Sequence, residues 1–292
     1  MLITISTVLG VLAALVVYSL FIETRRFQIT RVKMKARGNL PRPITILHLS
    51  DFHFGHTDHV RLRFLQSLHK TPVDIVVATG DLIDDDTGIE LCVNALRGFK
   101  AAFGVFAVFG AHDHWDTRFW NVVRDLSLGG YRRGSPNDFP RLKRELEGAG
   151  IVCLQNEARR VSLSERENDD ADLWMVGVDD LFAGLADFDK ALDGVPSNSF
   201  KILLSHTVEN PRDLAALGVN AVCAGHSHGG QVRFPLFGPV ITRSSLARKY
   251  ASGLFEVDGT PFHISRGIGT GKWTEFRFLC PPEATYIELT AS

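Results

Sequence analysis

Histidine and aspartate side chains recur in this chain where apolar runs stop, and they are donor types that hold divalent cations. The run Ile44-Thr45-Ile46-Leu47-His48-Leu49-Ser50 closes on Asp51-Phe52-His53. An Asp and a His two positions apart leave a strand end on the same side, because side chains alternate along it. The device recurs along the chain. Val73 to Thr79 runs into Gly80-Asp81, Val105 to Phe109 into Gly110-Ala111-His112-Asp113, Phe200 to Ser205 into His206, and Val219 to Ala224 into Gly225-His226-Ser227-His228. Neighbouring Gly and Ser residues let backbone come close to a ligand. Mixed carboxylate and imidazole donors suit Mn, Fe or Zn better than calcium, which prefers an all-oxygen shell. A carboxylate shared by two ions about 3.5 to 4 Å apart serves to activate water and neutralise a phosphoryl group. The chemistry expected is metal-assisted hydrolysis of a phosphoester. A purely structural role for Asp51, His53, Asp81, His112, His206, His226 and His228 would bury many polar groups without a ligand, which is costly.

The elements that must position these residues follow from periodicity. Leu62, Leu65 and Leu68 mark a helix over Val60 to Lys70, and Ile89 to Phe99 reads as another, so helices lie between the donor-tipped strands. That alternation requires crossover connections and a largely parallel or mixed sheet. Asn121 to Pro140 reads as a loop, followed by a short helix over Arg141 to Glu147. Ser164 to Asp170 is expected to be an exposed turn, Leu173 to Val178 a strand, and Asp179 to Leu192 to supply a helix. Gly253 to Val257, Thr260 to Ser265 and Thr285 to Leu289 read as antiparallel closing strands.

A chain of 292 residues, 45% hydrophobic, can bury a large core. The balance of 32 basic against 33 acidic residues offers no global attraction for nucleic acid, and no nucleic-acid partner is expected. Cys92, Cys153, Cys223 and Cys280 form no C-x-x-C pair and read as buried thiols, which suits a cytoplasmic setting. Met1 through Ile22 carry no charge. About 20 apolar residues cross a hydrocarbon layer of about 30 Å, so this reads as a transmembrane helix. The basic n-region and cleavage site of a signal peptide are missing, so a retained single-pass anchor is expected. Arg25, Arg26, Arg31, Lys33, Lys35 and Arg37 follow, against Glu23 alone. This bias places the C-terminal side in the cytoplasm, at the cell inner membrane, with the N-terminus outside. Alternation over Phe27 to Met34 suggests a strand paired, through Gly38 to Pro43, with the run at Ile44. The expected organisation is an anchor over 1–22, a basic juxtamembrane segment with the first strand over 23–43, and a catalytic domain over 44–292.

In order, Ser50-Asp51-Phe52-His53, Gly80-Asp81, Gly110-Ala111-His112-Asp113, His206 and Gly225-His226-Ser227-His228 resemble the five motif blocks of the calcineurin-like metallophosphoesterases, over residues 44 to 290. The anchor, the block Gly225 to Gln231, Arg266-Gly267-Ile268-Gly269-Thr270 and Cys280-Pro281-Pro282-Glu283 resemble its membrane-associated YkuE/YaeI branch. The resemblance implies an α/β fold, a four-layer sandwich of two mixed β-sheets flanked by helices. It implies two divalent ions, Mn foremost and Fe, Zn or Mg as alternatives. Asp51, His53 and His228 would hold the first, Asp81 would bridge, and His206 and His226 would hold the second. His112 would stabilise the transition state or protonate the leaving oxygen, and Asp113 would orient His112. The family places Asn where this chain has Ala111, and a methyl group coordinates nothing, so occupancy of the second site is expected to fall. An exchange that quiets a working centre explains Ala111 at least as well as the decay of an abandoned one. The direction of the neighbouring His114 stays open.

The anchor argues for a membrane lipid or another amphiphilic phosphorylated substrate, and the Phe-rich, basic stretch Arg233 to Lys249 suits the path of such a molecule. Through its membrane-bound members, the resemblance implies hydrolysis of UDP-2,3-diacylglucosamine to lipid X and UMP in lipid A biosynthesis. A general phosphodiesterase or phosphomonoesterase is the alternative enzyme, and a non-catalytic metal-binding membrane protein the alternative outside catalysis. Arg132, Arg133, Arg233 and Arg243 are the candidates for substrate contacts, with plain solvation the simpler reading of Arg132, Arg133 and Arg243. Trp115, Trp120 and Trp273 are expected in the core.

Overall fold

A computed structural model of the chain describes residues 2–56, 58–117, 119, 120, 124, 133–163, 172–242 and 244–292. The expected turn at Ser164–Asp170 and most of the loop from Asn121 lie outside the described residues. In chain order the strands are β1 Gln28–Ala36, β2 Ile44–Leu49, β3 Ile75–Thr79, β4 Val105–Val108, β5 Trp115–Asp116, β6 Ser135–Pro136, β7 Val152–Cys153 and β8 Glu157–Ser162. They continue as β9 Asp172–Gly177, β10 Phe200–Leu204, β11 Ala221–Ala224, β12 Arg233–Phe234, β13 Gly238–Pro239, β14 Gly253–Val257, β15 Thr260–Ile264 and β16 Glu283–Ala291. Two sheets, ordered β1-β16-β2-β3-β4-β7 and β14-β15-β11-β10-β9-β8, form the centre. In the first, β2, β3, β4 and β7 run parallel, and in the second so do β9, β10, β11 and β15. The pairs β2/β16, β14/β15 and β8/β9 are antiparallel, so both sheets are mixed.

Side-chain alternation explains the layering. Ile44 and Ile46 of β2 join Val77, Met175, Ile202 and Leu204 in the core between the sheets. Leu47 and Leu49 of the same strand join Leu65 and Leu96, from the helices His59–Leu68 and Ile89–Leu96, on the outer face. Val176, Leu203 and Val222 cover the opposite outer face with Ala191 and Leu214, from the helices Phe188–Leu192 and Pro211–Ala216. The layers run helix, sheet, sheet, helix. Each buried Val, Leu, Ile or Phe contributes roughly 1.5 to 3 kcal/mol, and strands buried on both faces read as continuous apolar runs.

Three expectations require correction. The strand over Phe27 to Met34 exists as β1, but β16 lies between it and β2, parallel to the former and antiparallel to the latter. The connection over 37–43 needs to span only about two strand spacings of 4.8 Å, so it passes over the intruding strand. The closing strands are not all antiparallel, since β15 pairs in parallel with β11 and β16 with β1. Trp120 and Trp273 are 75% and 45% exposed, outside the core.

At the N-terminus, helix Leu2–Val17 continues through Tyr18–Ile22 and Glu23–Arg25. Residues Ile5–Arg25 are long and apolar enough to cross a membrane, with mean hydropathy 2.4 and none of the apolar window buried. The helix meets the sandwich where Arg277 N donates to Ser19 O at 3.1 Å and the rings of Tyr18 and Phe278 stand 6.4 Å apart.

Candidate metal centre

The carboxyl ends of β2, β3 and β4 from one sheet and β10 and β11 from the other meet, the place where open α/β sheets receive ligands. Three overlapping donor sets form there, Asp51-His53-His228, His53-Asp81-His112 and Asp81-His206-His226, each with ligand atoms within 4.8 Å of one another. His53 and Asp81 each belong to two sets, which ties the cluster into one unit.

The backbone is bent to bring them there. Asp51, His53, Asp81, His226 and His228 have φ of 52°, 48°, 50°, 71° and 49°. The left-handed region costs an L-residue about 1 kcal/mol or more, and such outliers gather at functional sites. Glycines make the space. A Cβ on Gly225 would lie 1.9 Å from Ser50 Oγ and 2.5 Å from Asp51 Oδ2, and one on Gly110 would lie 2.2 Å from Asp81 Oδ1.

Hydrogen bonds set which ring nitrogens carry protons. His206 Nδ1 lies 2.7 Å from Thr79 O, which only accepts, so the proton sits on Nδ1. Among the described residues, buried His206 Nε2 has no hydrogen-bond partner, although Asp81 Oδ2 stands 3.1 Å away. His53 Nδ1 faces Asp84 Oδ1 at 2.7 Å, which turns Nε2 toward His228 Nε2 at 3.1 Å and Asp81 Oδ2 at 3.6 Å. Burial opposes charge on His206, yet Asp81, Asp51 and Asp180 outweigh it and hold its pKa well above the ordinary value. Burial likewise pushes against ionisation of Asp81, but His206 and His112 hold it well below the usual carboxylate range. Burial, His53 and Arg277 keep His228 neutral, the form that ligates. Orphaned nitrogen, converging lone pairs and surplus negative charge fit a divalent cation.

Several residues of the site have no counterpart in the sequence reading. Asp84 Oδ1 contacts both His53 Nδ1 and, at 3.3 Å, His112 Nδ1, and these rings draw its pKa down to about 2 against the effect of burial. Asp180 is fully buried, its pKa pushed up to about 6 by burial, with the His206 and Asp81 charges acting in opposite senses. Arg61 Nη1 donates to the carbonyls of Phe52 and His53, at 3.1 and 2.6 Å, bracing the first loop. Arg277 is buried and places Nη2 3.3 Å from His228 Nδ1 while donating to Arg266 O and Gly269 O. Asp84 sits three positions after Asp81, a spacing that could have signalled it; Arg277 has no local signal.

The expected role of Asp113 is corrected. Its carboxylate accepts from the backbone N–H groups of Leu82, Ile83 and Gly110, and the carboxylate beside His112 is Asp84. Burial and the nearby Asp81 charge push Asp113 up to about 7. His114 turns to Asp179, with Nε2 2.8 Å from Oδ1. Arg133 stacks over Trp115 and donates to Ala183 O, while Arg233 donates to Gly229 O and Ser252 Oγ, so both serve as internal braces. Arg132 and Arg243 lie outside the described residues. Ala111 opens the short helix Ala111–His114 and is 5% exposed.

Residues 44–230 match the family model of the calcineurin-like phosphoesterases. The chain belongs to that family. It is a metal-dependent phosphoester hydrolase, and this calcineurin-like phosphoesterase has similar relatives along almost its whole length. The metallophosphoesterase YkoQ of Bacillus subtilis is 29% identical, covering 91% of this chain and 92% of its own length. The phosphodiesterase YaeI of Escherichia coli is 24% identical over 93% and 92%. The UDP-2,3-diacylglucosamine pyrophosphatase LpxG of Chlamydia trachomatis is 26% identical over 96% and 94%.

Proposed function

We propose that this phosphoesterase works at the cytoplasmic face of an inner membrane, where it cleaves the pyrophosphate of UDP-2,3-diacylglucosamine to lipid X and UMP. The observation carrying the hydrolytic part is the convergence of three donor sets on the unpartnered Nε2 of His206 beside Asp81. The membrane part rests on the exposed apolar helix Ile5–Arg25 and the basic residues after it. The substrate rests on similarity to LpxG over nearly the full length of both chains.

In this reading Asp51, His53 and His228 hold one divalent cation, with Mn the first choice, and Asp81, His206 and His226 hold a second, Asp81 being common to both. Bound there, such ions neutralise phosphoryl oxygens and make water a better nucleophile. Thr79 O and Asp84 fix the protons of His206 and His53 on Nδ1, leaving Nε2 of each ring to coordinate. His112, with Nδ1 against Asp84, lies in the set shared with His53 and Asp81 and stabilises charge on the transferring phosphoryl or protonates the leaving oxygen. Buried Arg277 keeps the His228 ring in place. A broader phosphodiesterase activity is the second reading, favoured by similarity to YaeI.

Hydrolysis of UDP-2,3-diacylglucosamine and of bis-p-nitrophenyl phosphate, each with added Mn, tests the proposal. Selective release of UMP from the lipid is expected. Hydrolysis of the small ester alone would overturn the substrate and leave the second reading.

A further inference from the structure

We propose that the hairpin of β12 and β13 is a second membrane contact, inserted at the boundary of headgroups and acyl chains in the leaflet where the N-terminal helix ends. The proposal rests on the membrane reading above. The turn of this hairpin has the sequence Phe234-Pro235-Leu236-Phe237-Gly238. Leu236 is 105% exposed and Phe237 79%, and Phe234, Val240 and Ile241 are exposed beside them. Leu236 also has φ 70°, a region L side chains avoid. Apolar groups gathered in one exposed turn mark a contact surface rather than the scattered apolar residues of an ordinary exterior.

The position of the hairpin says what covers it. Arg233 N donates to Phe278 O at 2.9 Å and Phe278 N donates to Gln231 O at 2.8 Å, so the base of the hairpin is tied to Phe278. The Phe278 ring stands 6.0 Å from Phe234 on one side and 6.4 Å from Tyr18 on the other. The neighbouring Arg277 N bonds Ser19 O, near the end of the apolar helix. The hairpin therefore flanks the helix where its apolar stretch ends, the level at which amphipathic elements lie in a bilayer. Charge agrees, since Gln231 to Ser252 contains no acidic residue and carries Arg233, Arg243, Arg248 and Lys249. Such a stretch complements an anionic leaflet. His228 precedes the hairpin by a few residues, and Arg233 Nη1 holds Gly229 O at 3.0 Å, so insertion would set the mouth of the metal centre against the lipid surface.

The test uses the full chain in vesicles of phosphatidylcholine and phosphatidylglycerol, with an environment-sensitive nitrobenzoxadiazole label on one introduced cysteine. The native cysteines Cys92, Cys153, Cys223 and Cys280 are buried, which confines labelling to that site. Phe237→Cys probes the hairpin, Val16→Cys the helix, and Arg159→Cys the exposed far edge of the second sheet. The label at 237 is expected to shift to the blue and to be quenched by lipids bearing a shallow nitroxide, while that at 159 does neither. Quenching at 16 without quenching at 237 would overturn the insertion and leave the membrane reading standing. No quenching at either site would overturn both. A blue shift at 237 that follows the protein-to-lipid ratio, without nitroxide quenching, would assign the face to a second copy of the chain and overturn the proposal.

Discussion

Restoring a donor at position 111 should raise activity, and the local geometry sets the size of the effect. The backbone on both sides of Ala111 already meets Asp81, because a Cβ on Gly110 would lie 2.2 Å from Asp81 Oδ1 and His112 N donates to that atom at 3.0 Å. A carboxamide at 111 thus starts at the edge of the Asp81-His206-His226 set. Adding a fourth donor to three is comparable in weight to the supporting groups of metal sites, whose removal costs about 10 to 100-fold. That corresponds to about 1.4 to 2.8 kcal/mol. Ala111→Asn should therefore tighten the weaker Mn site by about 10-fold or more, and turnover of bis-p-nitrophenyl phosphate should rise most at sub-saturating Mn. Calorimetric Mn titration and initial rates across a Mn series supply the numbers. Equal affinity and equal rates for the two forms at every Mn concentration would refute the placement of residue 111 beside the second ion.

Asp84→Asn keeps an acceptor but removes the charge facing His53 and His112; turnover should drop by about 10 to 100-fold with circular dichroism unchanged, and a wild-type rate would show that Asp84 does not position these rings. Acid should weaken the fold through the buried pair His48 and His263, whose Nδ1 atoms stand 2.8 Å apart. Burial and Arg266 hold His263 down to about 4, and burial with His263 holds His48 well below its ordinary value. The unfolded chain binds these protons near pH 6.5, so their stabilisation is complete above that value and is lost as pH falls toward 4. The loss is on the order of 1 kcal/mol per pH unit for each ring. Urea unfolding in chelator at neutral and mildly acidic pH should show a smaller acid loss for His263→Leu than for wild type, and equal losses would remove the pair from the account.

Legibility in the sequence divides along locality. Asp51, His53, Asp81, His206, His226 and His228 were readable because each follows an apolar strand by a residue or two, and a strand end carries its side chains to a definite place. The layering was readable for the same reason, since strands buried on both faces alternate with amphipathic helices. Asp84 was not, because it lies in a loop without period and acquires its meaning from His53 and His112. Asp113 was assigned to its sequence neighbour, but helix-start geometry turns its carboxylate to the N–H groups of Gly110, Leu82 and Ile83. Arg277 and the insertion of β16 beside β1 depend on residues far apart in the chain, and local pattern carries no information on such pairing. Trp273 looked like core by residue type, but it lies partly exposed with Nε1 bonded to Thr117 O.

The central claim is a pair of divalent ions sharing Asp81, and Mn counting tests it most directly. Chains stripped with chelator should neither hold Mn nor hydrolyse bis-p-nitrophenyl phosphate, and on titration should take up about two ions per chain with activity returning in step. Asp81→Asn should lose affinity at both sites together, since Oδ2 of Asp81 stands 3.6 Å from His53 Nε2 and 3.1 Å from His206 Nε2. Full hydrolysis by the stripped chain, or unaltered Mn uptake by Asp81→Asn, would contradict it.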